Sequence, residues 1–376
     1  MDRDRRLALV AAAAVALAAI ATYFFTPSST IVPIPEPGIR NNDTGTSAGI
    51  KVIAENLEVP WSVDVAGDGR VFFTERPGRI GIIAADGEIL EPIFIKVEQN
   101  EEAGLMGLAL HPDFANNHLI YVYHTYSNGT GSVYNKVVAL TERDNEIVDS
   151  EAIIEGIPAA DRNDGGRIKF GPDDGKLYVA TGDARQPDLA QDRESLAGKI
   201  LRLNDDGTVP GDNPFPGSPI YSYGHRNIQG LAWHPQTREL YASEHGESGN
   251  DEINLIKAGA NYGWPVEECN AEQFEKPVYC FNPVIAPGGM AFAASDELGY
   301  QGDILLAALK VKQLRHVDLK TGNTDNVLTG FGRIRDVVEA PDGSLYVLTS
   351  NRDGRAIAEP GDDKILRLLP SGDRNP

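Results

Sequence analysis

One pattern recurs along this chain and constrains its fold more than any other. A turn carrying Asp, Gly or Pro precedes a short run of aliphatic, β-branched and aromatic residues. Gly67-Asp68-Gly69-Arg70 leads into Val71-Phe72-Phe73-Thr74, and His111-Pro112-Asp113 stands before Leu119-Ile120-Tyr121-Val122-Tyr123. The same signal returns at Gly171-Pro172-Asp173-Asp174-Gly175 before Leu177-Tyr178-Val179-Ala180, and at His234-Pro235 before Leu240-Tyr241-Ala242-Ser243. It returns twice more, at Gly302-Asp303 before Ile304-Leu305-Leu306 and at Pro341-Asp342-Gly343-Ser344 before Leu345-Tyr346-Val347-Leu348. The turns supply a positive or preset φ, and the runs suit a pleated, buried sheet. Units spaced about 40 to 65 residues apart match one four-stranded blade each. We therefore expect an all-β chain, a six-bladed β-propeller of four-stranded antiparallel blades over residues 50–370. No long amphipathic helix follows residue 50, so a parallel α/β sheet lacks its crossovers.

Ahead of this region stands a different segment. Leu7 to Phe25 carries no charge, and Arg3, Arg5 and Arg6 precede it. As a helix, that run spans roughly 28 Å, close to a bilayer core. The arginines hold their side in the cytoplasm, so the remainder is expected outside it, periplasmic or at the cell surface. The run ends Tyr23-Phe24-Phe25-Thr26-Pro27, a poor cleavage site, which favours an uncleaved N-terminal membrane anchor over a removed signal peptide. Residues 26–49 are rich in Pro, Ser, Thr, Asn and Gly and are expected to be a flexible linker. Cys269 and Cys280 are the sole cysteines. In an exported chain they are expected to form one disulfide, with two reduced thiols as the alternative. The net charge is −21, and residues 1–49 hold equal numbers of each sign, so the imbalance lies in the propeller. Such a surface repels phosphate backbones, and nucleic acid is not an expected partner.

Three polar clusters could carry chemistry. Tyr223 to Gly230 contains His225, Arg226 and Asn227; Ser243 to Glu252 contains His245, Gly246 and Glu247. The third is Gly332-Arg333-Ile334-Arg335-Asp336. Arg333 and Arg335 lie two apart and point to one side of an extended segment. Their charges repel unless an anionic ligand sits between them, or unless Asp336 or another carboxylate pairs with them. The acidic second cluster could hold a hard cation through carboxylates and carbonyls, calcium rather than zinc, or could be a solvated loop. His225 and His245 are the histidines best placed for function, whereas His111 and His234 precede Pro in blade turns and are expected to be structural. No phosphate loop or H-E-x-x-H is present.

Taken in order, these stretches resemble the soluble quinoprotein glucose/sorbosone dehydrogenases. The resemblance rests on Val59-Pro60-Trp61-Ser62, Thr74 to Ile80, Gly104 to Phe114, Gly165-Gly166-Arg167 with Phe170-Gly171-Pro172, and Thr181-Gly182-Asp183. It continues through Gly198 to Arg202, Gly224-His225-Arg226-Asn227, Asp251 to Asn254, Asn261 to Pro265, Pro287 to Met290 and Gly332 to Asp336. It implies a six-bladed propeller, pyrroloquinoline quinone (PQQ) and calcium. Lys310, Arg333 and Arg335 would pair with the three PQQ carboxylates. Arg226 and Asn227 would contact the quinone edge, with Arg226 stabilising negative charge there. Glu102 and His245 would hydrogen-bond at the same rim. Calcium would be held by the carbonyls of Gly246 and Glu247, and a second, structural ion by Glu252 and the Tyr262 carbonyl.

The implied activity is oxidation of an aldose sugar at C1 to a lactone, with electrons passed to an external acceptor. One departure stands out. The family's general base is a His before x-Gly-Gly-Arg, and this chain has Asn163 there. An amide is not a useful proton acceptor, so Asp161, Asp164, Asp183 or another histidine entering from a loop would have to substitute. Otherwise the chain is a non-catalytic propeller that binds a ligand or partner; a calcium-dependent lactonase is a further alternative. Glu102 also places a carboxylate beside an anionic cofactor, which would call for protonation or calcium.

Overall fold

The computed structural model describes residues 49–370. The six apolar runs become strands: β3 (Val71–Glu75), β7 (Leu119–Ser127), β11 (Leu177–Thr181), β15 (Leu240–Glu244), β19 (Ile304–Ala308) and β23 (Leu345–Thr349). All but β7 are buried along their whole length. A strand covered on both faces shows a continuous apolar run rather than alternation, which is what made these segments legible. The turns before them close as expected. Asp68, Asp174 and Asp342 accept the backbone N–H two residues on, at 3.0 Å each, and Gly69, Gly175 and Gly343 take φ of 89°, 62° and 78°.

Each run is the second strand of a blade. Its first strand is β2 (Pro60–Val65), β6 (Leu105–Leu110), β10 (Gly165–Phe170), β14 (Ile228–Trp233), β18 (Pro287–Phe292) or β22 (Ile334–Glu339). Among the described residues there are six four-stranded sheets, all pairings antiparallel. In the last, β22 and β23 are completed by β24 (Ile365–Leu369) and then by β1 (Gly49–Ala54), in register from Gly49 opposite Leu369 to Val52 opposite Leu366. Pairing the first and last described strands closes the ring and removes the exposed edges an open array would leave.

The first strands pack neighbour to neighbour in a closed circle around the axis. They approach closely enough to require glycine. A Cβ on Gly107 would lie 2.1 Å from the Gly166 carbonyl, and one on Gly288 2.3 Å from the Arg335 carbonyl. Apolar side chains fill the space between sheets, for example Leu105, Ile120 and Val122 against Phe72, Ile80 and Ile82. Antiparallel pairing puts the starts of the first strands and the ends of the second strands at the same mouth of the hub.

The N-terminal hydrophobic helix expected over 1–25, and the linker after it, lie outside the described residues except for Gly49, which opens β1. Among the described residues no helix is long and apolar enough to cross a membrane. Cys269 and Cys280 are joined in a disulfide, with Cα atoms 6.0 Å apart.

Candidate active site

A cavity of about 280 Å³ opens at that mouth, near the lower end of small-molecule pockets, roughly 300–1,000 Å³. Arg76, Lys310, Arg333, Arg335 and Arg355 bring five cations to its wall, against the carboxylates of Glu102, Asp164 and Asp353. This is an excess of positive charge in a chain of net charge −21. Arg333 and Arg335 do point to one side, as their spacing predicts, and the carboxylate between them is Asp353, not Asp336. Asp353 Oδ2 accepts from Arg333 Nε at 3.0 Å and Nη2 at 2.8 Å, and lies 3.8 Å from Arg335 Nη2. Burial pushes the Arg335 guanidinium down to about 10, with Asp353 opposing, so it stays charged at neutral pH. The Glu102 carboxylate accepts a hydrogen bond from the Arg355 guanidinium, which supplies the counter-charge beside it.

Asp336 faces the opposite way because adjacent strand residues alternate. It receives Arg167, Nη1 to Oδ2 at 2.8 Å, and Arg167 also donates to Ser62 Oγ at 2.8 Å and the Gln229 carbonyl at 2.9 Å. This buried pair closes the hub beneath the cavity. Trp61 stacks between the layers, its ring centroid 4.5 Å from the Arg167 guanidinium carbon and 5.9 Å from that of Arg335. Arg335 in turn donates to Gln229 Oε1 at 2.6 Å.

Arg226 and Asn227 sit beside the cavity wall rather than in it. Arg226 lines a neighbouring crevice, donates Nη1 to the His245 carbonyl at 3.2 Å, and lies 5.3 Å from the Trp264 ring centroid. Asn227 is buried and its Oδ1 accepts the Gly165 N–H at 3.0 Å, fixing the start of β10. His225 is not a cavity residue. It is fully buried between Ser222 and Glu244, 2.9 Å from each, and stacks on Tyr262. His245 does reach the cavity, with Nε2 donating to the Pro287 carbonyl at 2.7 Å; burial pushes its ring down to about 4.

Asn163 takes φ of 62° and donates its amide to Asp183 Oδ1 at 2.9 Å. Asp183 is fully engaged, since Oδ1 also accepts the Arg185 N–H at 2.8 Å and Oδ2 accepts Trp264 Nε1 at 2.9 Å. Asp161 takes both oxygens to Arg185, and that hydrogen bonding holds it below the usual carboxylate range. Asp164 differs from both. It lines the cavity, is 3% exposed, and burial pushes it up to about 7.

The loop after β15 folds tightly. Gly246 donates its N–H to Asp251 Oδ1 at 3.0 Å, and a Cβ there would lie 2.0 Å from the Gly249 carbonyl. Behind it, Gly246, Glu244, Glu252, Glu268 and Tyr262 line the crevice that holds Arg226. Glu252 Oε2 accepts Asn254 Nδ2 at 3.1 Å, while Oε1 is buried without a partner. Burial, then the charge of Glu244, pushes Glu252 up to about 8. A hard cation would resolve such an orphaned oxygen. The disulfide sulfurs nearby offer no thiolate. Sequence reasoning missed Arg76, Asp353 and Arg355. A signal was available: Arg76, His245, Lys310 and Asp353 all follow the end of a second strand.

A family model described as Glucose / Sorbosone dehydrogenase matches residues 57–359. The aldose sugar dehydrogenase YliI of Escherichia coli is 32% identical over 345 residues, 83% of this chain and 92% of the relative. Quinoprotein glucose dehydrogenase B of Acinetobacter calcoaceticus is 34% identical over 255 residues, 57% of this chain and 52% of the relative. Among solved structures, the PQQ-bound aldose sugar dehydrogenase of Streptomyces coelicolor superposes with a TM-score of 0.77 at 37% identity, covering 86% of this chain and 99% of that one.

Proposed function

Because this chain belongs to the glucose/sorbosone dehydrogenase family, we propose that it is an oxidoreductase that converts aldose sugars to lactones at C1, using PQQ and calcium and passing electrons to an external acceptor. The observation that carries this reading is the ring of cations at the hub mouth, which outnumber the carboxylates among them. A tricarboxylate suits that excess. Lys310, Arg333 and Arg335 would hold its carboxylates. The Gly246 and Glu247 carbonyls would take the calcium at the rim. When bound, the quinone supplies a two-electron oxidant and the ion a Lewis acid. The chain's own part is to orient the sugar C1 over the mouth, exclude water and remove the hydroxyl proton. Arg226 and Asn227 would act at the quinone edge, Asn227 also by holding Gly165, and Glu102 and His245 would flank it. Asn163 would serve as a hydrogen-bonding residue rather than a base.

The test uses the purified protein with PQQ, calcium, a panel of aldoses and an artificial dye acceptor. Sugar-dependent dye reduction is expected, and no reduction with any aldose would overturn the reading.

Glu252 and the Tyr262 carbonyl are proposed for a second calcium. Saturating calcium should then raise the melting temperature. At about 100 times Kd the gain is about 2.7 kcal/mol, a shift of several degrees for a chain of this size. Glu252→Gln should reduce the shift, leaving only the part due to the rim calcium, while raising the calcium-free melting temperature, since it replaces a buried carboxyl group that has one oxygen without a partner. Scanning calorimetry with and without chelator checks both, and an equal shift in the variant would rule out this site.

The disulfide supports an oxidising compartment, and we propose export with an uncleaved N-terminal anchor. Protease accessibility on intact cells, with residues 1–25 present or deleted, would decide it.

A further inference from the structure

We propose that Asp164 is the general base of this site, accepting the C1 hydroxyl proton of the sugar that the Asn163 amide cannot take. This rests on the sugar-oxidising reading above. Of the three aspartates near the Asn163 segment, Asp161 is committed to Arg185 and Asp183 to Asn163, Arg185 and Trp264. Asp164 alone of the three lines the cavity, whose wall it shares with Gly165, Lys310 and His245. Its Oδ1 accepts Ala160 N–H at 2.9 Å and Asn135 Nδ2 at 3.0 Å, while Oδ2 is buried with no partner. A buried carboxylate oxygen left bare is costly unless a donor comes to it. A sugar hydroxyl is such a donor.

The facing groups fit the role. No cation pairs with Asp164 among the described residues; Glu102 and Asp161 bring negative charge near it, and the Tyr123 hydroxyl donates to its backbone carbonyl at 2.9 Å. Burial is the largest cause of its rise to about 7, which balances ionised fraction against basicity at neutral pH. In the step, the C1 O–H bond breaks and its proton goes to Asp164. The electron pair left behind forms the second C1–O bond. The C1–H hydrogen would leave with both bonding electrons, for which bound PQQ would supply the two-electron oxidant, so the oxidation of the sugar is balanced.

The test compares wild type with Asp164→Asn, Asn135→Ala and Asn163→His/Asp164→Asn. The variant D164N should lose on the order of 10²-fold or more in kcat, keep wild-type PQQ affinity in an absorbance titration, and lose the rise of kcat/KM through pH 7. Removing the Asn135 hydrogen bond should move that rise to higher pH. The double variant should regain activity. Independently of activity, infrared titration of cofactor-free protein with aspartate-selective 13C labelling should show a carboxyl titrating near pH 7 that D164N lacks. A D164N enzyme with wild-type kcat and pH profile, or an unchanged infrared titration, would overturn the proposal. Wild type that oxidises no aldose but shows the titration would instead sink the sugar-oxidising reading.

Discussion

Replacing Arg335 with alanine should weaken PQQ binding by about 2–5 kcal/mol, the usual cost of truncating one member of a buried, hydrogen-bonded charge set. That is a factor from tens to thousands in Kd. Arg335 is 6% exposed and is held in place by Gln229 and by Trp61 beneath it. Its positive charge is therefore already desolvated before a ligand arrives, and little further desolvation is needed to meet an anion. Asp353 keeps Arg333 as a partner in the variant, so the fold should persist. Lysine at this position should recover only part of the affinity, because it cannot reach Gln229 and stack on Trp61 with one planar group. Fluorescence or absorbance titration with PQQ gives the number. An affinity within threefold of wild type would mean that the cations at the hub mouth serve some other ligand.

Arg167→Met should lower folding stability by about 3–5 kcal/mol, since it leaves Asp336 as an unpaired charge in the hub. Arg167 comes from β10, Asp336 from β22, and their partners Ser62 and Gln229 from β2 and β14. Asp336 also accepts the Val63 N–H at 3.1 Å. One buried cation thus joins four of the six inner strands. The melting temperature should fall by on the order of 10 °C. Removing both charges, as Arg167→Met with Asp336→Leu, should cost less than Arg167→Met alone, because no ion is then stranded. Urea unfolding of the single and double variants checks the order. A single variant within 1 kcal/mol of wild type would show that the hub does not depend on this pair.

Much of the blade pattern could be read along the chain. The second strands are buried on both faces, so their sequences are apolar without a break, and the Asp-Gly turns before them have a local conformational cause. The closing strand β1 had no such signal. Gly49–Ala54 is largely exposed and gains its place only by pairing with β24 at the other end of the chain. At the site, the two-residue spacing of Arg333 and Arg335 was legible because strand alternation is local. The identity of their counter-ion was not, since Asp353 comes from the loop after the neighbouring strand. Glu102 looked like an unbalanced charge until Arg355 came beside it.

The sequence by itself determined the repeat, the strand identity of each run and the residue types that a family resemblance could be matched to, because these depend on periodicity and turn chemistry within a few residues. Only the tertiary structure decided which aspartate is spoken for and which is bare. Asp161, Asp164 and Asp183 are alike as residues, yet one is tied to Arg185, one to Asn163 and Trp264, and one is left buried at the cavity wall. Their environments are set by side chains distant in the chain. Burial and hydrogen bonding, not residue type, set the proton affinity of a carboxyl group.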